Sequence, residues 1–139
     1  MEHRSPLLRP AAAGGLYAIS VFSLGFVLGT IRVLILVPRI GPTLAVLAET
    51  PVMLGASWWV SSECIARLQI DRTVAARLVM GLVAFTVLMA AETTLAVILF
   101  GRSVTGYLLS LTVMPGVIGL AAQIAFAGFP LVQRHEPRH

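Results

Sequence analysis

Apolar residues run along this chain in four long blocks, and the polar residues between them are few. The blocks cover approximately 14–37, 42–62, 76–100 and 105–132. Each approaches or exceeds the ~20 residues that a helix needs to cross a bilayer. None shows the two-residue alternation of a barrel strand, so helices are the predicted spanning form. The links "PRIGP" (38–42) and "GRSVTG" (101–106) are short and rich in turn residues. The one longer polar link is "ECIARLQIDRTVAA" (63–76). Short links make successive helices antiparallel. The pattern therefore predicts an all-α integral membrane protein, an up-down four-transmembrane-helix bundle. Residues 1–139 are expected to form a single transmembrane domain with no soluble domain.

The first block is too long for the apolar region of a signal peptide, and "AAAGG" precedes it rather than follows it. It is read as a retained span. "PRIGPTLAVLAETP" and "GRSVTGYLLSLTVMP" share an order of turn, Arg, apolar run and proline, a weak trace of a duplicated hairpin.

Composition agrees with this picture. Of 139 residues 58% are hydrophobic and 12% charged, too few charges to cover a soluble domain of this size. All ten basic residues are Arg. They form no Lys/Arg run and no basic stripe interleaved with aromatics, so no nucleic-acid partner is expected. They do divide between the two sides of the bundle. Arg4, Arg9, Arg67, Arg72, Arg77, Arg134 and Arg138 fall on one side, against Arg39 and Arg102 on the other. The positive-inside rule then puts both termini in the cytoplasm, which suits a bacterial inner membrane. Trp58 and Trp59, with Tyr17 and Tyr107, are expected at the membrane interfaces. Cys64 stands alone, so paired-cysteine redox chemistry is absent.

The candidate chemistry lies in three ionisable side chains within the spans, Arg32, Glu49 and Glu92. At ~1.5 Å per residue all three sit about 8–12 Å from the same, extracytoplasmic, face. A charge left alone at that depth costs on the order of 3 kcal/mol. Arg32 is therefore expected to pair with one glutamate, leaving the other to hold a proton or a cationic ligand. Thr112 sits at a similar depth on the fourth span and joins the predicted polar layer. Gly25, Gly29, Gly116 and Gly119 lie on small-residue stripes that would let helices approach closely. Pro51 and Pro115 are expected to bend their spans beside that layer, because each leaves a carbonyl without its helical partner. Gln123 is expected to make one interhelical hydrogen bond. On the second span Leu47, Pro51, Leu54 and Trp58 form the stripe expected to face lipid.

No histidine occurs in any span, no nucleophile–histidine pair is visible, and "LGFVLGT" lacks the lysine of a phosphate loop. No cofactor or metal is expected. Three readings follow. The first is a non-catalytic subunit or scaffold of a membrane assembly, its partners being the lipid bilayer and a second copy of the chain or other membrane proteins. The second is a small proton- or cation-coupled transporter using Glu49 and Glu92. The third is a membrane enzyme using the two buried acids.

Overall fold

Among the described residues, four helices are long and apolar enough to cross a membrane. The computed structural model describes residues 8–114 and 116–133, with only the backbone at Phe100. Helix α1 (Leu8–Ile40) opens into one wider π turn at Arg32–Leu36. Helices α2 (Pro42–Leu68) and α3 (Val74–Phe100) follow. The fourth apolar block is split into a short α4 (Val104–Ser110) and the longer α5 (Gly116–Gln133).

The boundaries have local causes. Pro38 lacks an N–H, and its ring would strike the carbonyl four residues earlier. The preceding turn widens, and the Val37 N–H reaches back five residues to the Arg32 carbonyl. Gly41, at φ 86°, then separates α1 from α2. Thr73 and Ser103 cap α3 and α4 with their side chains, accepting from the N–H groups of Ala76 and Gly106. Helix α2 runs past the expected end near Ser62 to Leu68. Glu63 and Arg67, one turn apart, carry the helix into the polar region with an ion pair of 3.1 Å. The predicted continuous fourth span is corrected. After Ser110 the chain leaves the helix for 111–114, so only α5 remains long enough to span. Pro115 lies outside the described residues. Pro51 is exposed and α2 continues through it unbroken.

Helix α1 packs against α2 and α3, and α5 packs against the same two helices. The consecutive helices α2 and α3 are therefore not side by side. The five residues between them can extend to about 16 Å, enough for the ~13 Å diagonal of four helices spaced 9–10 Å apart. Two glycines set the closest approaches. A side chain on Gly14 would meet the Met80 carbonyl at 2.5 Å, and one on Gly81 would strike the Ala127 carbonyl. These contacts join α1 to α3 and α3 to α5.

The tight core fills one half of the bundle. It contains Ala13, Tyr17, Ala18 and Val21 from α1, and Cys64 and Ile65 from α2. Ile70 from the link, Ala76, Met80, Ala84 and Leu88 from α3, and Phe126 from α5 complete it. Tyr17 is thus no interface anchor: it is fully buried and stacks on Phe126 with ring centres 4.1 Å apart. Its hydroxyl donates to the Phe126 carbonyl at 2.8 Å. That carbonyl lies four residues before Pro130, which has no N–H to offer it. Tyr17 supplies the missing donor from another helix. Nearby, Ser61 donates to Gln133 Oε1 at 2.6 Å, and Gln133 Nε2 donates to the Trp58 carbonyl at 2.9 Å.

Arg77 is a second correction. It does not stand in a solvated loop but is 2% exposed. It donates to the carbonyls of Asp71 at 3.0 Å and Pro130 at 2.9 Å. The latter places a cation at the carbonyl end of α5, where the helix dipole favours it. The predicted lipid-facing stripe of α2 also divides. Leu47 and Pro51 are exposed, whereas Leu54 is half-buried and Trp58 packs edge-on against Phe129. It is Trp59 that faces outward.

Candidate functional site

The other half of the bundle is open. Where the core thins, the helices enclose a cleft of about 740 Å³, its walls mostly apolar. Phe22, Met53, Leu88 and Phe126 contribute to those walls, and the polar groups Arg32, Glu49, Glu92, Tyr107 and Gln123 all reach them.

The glycines assigned to close packing have a different place. Gly25, Gly29, Gly116 and Gly119 all line the cleft. A Cβ at Gly119 would meet nothing within 4 Å, and one at Gly25 would meet only the tip of Met53, at 3.3 Å. Gly119 therefore keeps space open, while Gly25 lets the Met53 side chain of α2 come close to α1. Gly116 has an additional reason, because a side chain there would collide with the Ser110 carbonyl where the chain turns from α4 into α5. The small-residue stripes were visible in the sequence. Which of them touched a neighbour was not, since helical periodicity gives a face but not what stands opposite it.

Arg32 and Glu49 form an ion pair, Nη1 to Oε2, at 2.5 Å. The first residue of the π turn thereby ties α1 to α2. The two side chains are 30% and 11% exposed, so the pair is sheltered by the helices without being sealed. With its carboxylate engaged by a guanidinium, Glu49 is neutralised in place.

Glu92 is held differently. Tyr107 donates its hydroxyl to Glu92 Oε2 at 3.1 Å, and Gln123 Nε2 donates to the same oxygen. No hydrogen bond reaches Glu92 Oε1 among the described residues, and no ion pair involves Glu92. The amide oxygen of Gln123 is buried with no donor. Two oxygen acceptors on adjacent side chains are thus left without protons to accept. Arg32 and Arg102 line the same cleft, but Arg102 is turned to Ser110, whose hydroxyl it approaches at 3.4 Å.

Thr112 does not enter this layer. It is exposed, and its hydroxyl folds back on the Leu109 carbonyl at 2.7 Å. Its expected depth assumed a continuous fourth helix, and the break after Ser110 removes that assumption. The same break brings in Tyr107, which was expected only as an interface anchor. Leaving the helix early lets α4 lie along α3 and put the Tyr107 hydroxyl on Glu92.

The arrangement sets two carboxyls and two guanidiniums in an apolar cleft, with free acceptor capacity on Glu92 and Gln123. Among the described residues it has no group of three potential metal-ligating side chains. No family model matches the chain, and no curated protein or solved structure is similar to it.

Proposed function

We propose that the cleft is a binding site for a cation within the membrane, and that the protein is a small proton- or cation-coupled carrier. The observation that supports this reading is Glu92. Its carboxylate accepts two hydrogen bonds on one oxygen, makes no direct ion pair among the described residues, and keeps its other oxygen free, while the amide oxygen of the Gln123 bonded to it has no donor. An ionisable group kept inside an apolar bundle is costly, and such groups mark ion and proton pathways. A cation seated between Glu92 Oε1 and Gln123 Oε1 would satisfy both acceptors; in its absence a proton on Glu92 would neutralise the site. The two glutamates then divide their roles. Glu49, held by Arg32, fixes the hairpin of α1 and α2, while Glu92 exchanges its partner. In this reading the helices follow an up-and-down course through a bacterial inner membrane with both termini cytoplasmic. Without the buried Arg77, the Arg count is still six against two in favour of that side.

The test is cation binding to purified protein in detergent, followed by calorimetry over a panel from sodium to alkylammonium ions. Saturable binding that Glu92→Gln removes and Glu63→Gln leaves intact is the expected result. A panel in which no cation binds the folded protein rejects the site.

The competing reading, a non-catalytic subunit of a membrane assembly, has its own observation. The Arg32–Glu49 pair joins two consecutive helices and is complete without a ligand, as a purely structural clasp would be. Co-purification from native membranes distinguishes the two readings. A stoichiometric partner retained equally by Glu92→Gln protein favours the subunit. An enzyme using both acids is the weakest reading, since Glu49 is already engaged.

A further inference from the structure

Helix α4 is held in an unusual way for a segment beside a buried carboxylate. It has seven residues. Gly101, in the left-handed region at φ 64°, precedes it, and the non-helical stretch 111–114 follows it. It packs along α3 and makes no comparable contact with α1, α2 or α5. Val104, Leu108 and Leu109 are exposed. Its inner side nevertheless borders the cleft through Tyr107 and Ser110. Its polar tie to the rest of the site is the Tyr107 hydroxyl on Glu92 Oε2.

We propose that α4 is a lid on the cleft, latched by Tyr107 on the ionised Glu92 and released when Glu92 takes up a proton. The proposal rests on the reading of the cleft as a cation site and describes how that site is regulated. A hydrogen bond to a carboxylate is roughly twice as strong as one between neutral groups. Neutralising Glu92 therefore weakens the latch at the one point where α4 grips the polar layer. Segments with few packing contacts and breaks at both ends are the ones that open locally. The charged and titratable groups facing Glu92 are Arg32 on α1, Glu49 on α2, and Arg102 and Tyr107 on the lid side; α5 presents the neutral Gln123. Glu49, the other carboxylate of the cleft, is committed to Arg32, so loss of the Glu92 charge leaves the latch with no substitute anion.

The lid is tested by the accessibility of the cleft floor. Cys64, the one cysteine of the chain, is replaced by Ser, and Gly119→Cys places a thiol in the cleft where a Cβ meets no atom. Alkylation by a membrane-impermeant maleimide is then timed in proteoliposomes. Slow labelling is expected in this background, about tenfold faster labelling with Tyr107→Phe, and a similar gain with Glu92→Gln. After correction for the thiolate fraction, labelling should speed up as pH falls, and this dependence should vanish with Glu92→Gln. Equal rates in all three proteins, or fast labelling before either substitution, overturn the lid. Ala122→Cys, on the same wall, repeats the measurement if Gly119→Cys fails to fold. Labelling requires no cation. Faster labelling in Tyr107→Phe protein that binds no cation would keep the lid and reject the cation site, and equal rates in protein that does bind cations would do the reverse.

Discussion

Tyr17→Phe removes a single oxygen atom from the most tightly packed part of the bundle. The ring stays, and with it the stacking on Phe126. What disappears is the donor to the Phe126 carbonyl, at 2.8 Å in a buried setting. That carbonyl cannot turn to its own helix, because the residue four positions on is Pro130. A buried carbonyl left without a donor costs about 1–3 kcal/mol. Interhelical hydrogen bonds inside membranes measure lower, averaging about 0.6 and reaching about 1.7 kcal/mol. Because the site is buried and Pro130 offers no backbone N–H in place of the lost donor, a value near the upper membrane figure, about 1.5 kcal/mol, is expected. Pro130→Ala gives the carbonyl back its helical partner. In that background Tyr17→Phe should cost clearly less, about 0.5 kcal/mol, so the two changes should couple by about 1 kcal/mol. The assay is reversible unfolding in mixed detergent micelles, with helix content as the signal, on the wild type, both single variants and the double variant. A cost for Tyr17→Phe that is the same with and without Pro130, or no cost at all, refutes the claim that the tyrosine replaces the N–H that proline lacks.

Other substitutions test the remaining parts of the fold. Gly81→Ala should destabilise by about 1–3 kcal/mol, because the added carbon meets the Ala127 carbonyl; Gly119→Ala should be neutral or slightly stabilising in the same unfolding assay. Arg32→Ala should lower the yield of folded protein and cost about 3 kcal/mol by leaving the Glu49 carboxylate alone between helices, and Arg32→Ala with Glu49→Ala should recover part of that loss. Gln69, at φ 52° after α2, holds a backbone conformation that favours glycine, so Gln69→Gly should raise the melting temperature with a gain of about 0.5–1 kcal/mol.

The apolar blocks made the four helices legible, because a bilayer demands ~20 apolar residues and little else in the chain could supply them. The lone charges were legible for the same reason, and their depths pointed toward a shared layer. The sequence was silent where partners are tertiary. Nothing around Tyr17 distinguishes an interface tyrosine from a buried one. The signal lay elsewhere, in Pro130 standing four residues after Phe126, which implies a carbonyl in need of a donor. Arg77 read as one more loop cation because its acceptors, the carbonyls of Asp71 and Pro130, carry no mark in the sequence. The break after Ser110 was the largest loss. Residues 105–132 are apolar enough to read as one helix, and hydropathy does not register a change of direction. With the break went the correct place of Thr112 and the role of Tyr107.

Exchange of a proton for a cation on the Glu92 carboxylate is measured by coupled flux in proteoliposomes. Purified protein is reconstituted with a pH-reporting dye inside, and a cation found to bind is applied as an outward gradient. Proton uptake driven by that gradient is expected, abolished by Glu92→Gln in protein that inserts and folds normally. Proton movement that persists without the Glu92 carboxylate, or none at all in correctly folded wild-type protein, would contradict it.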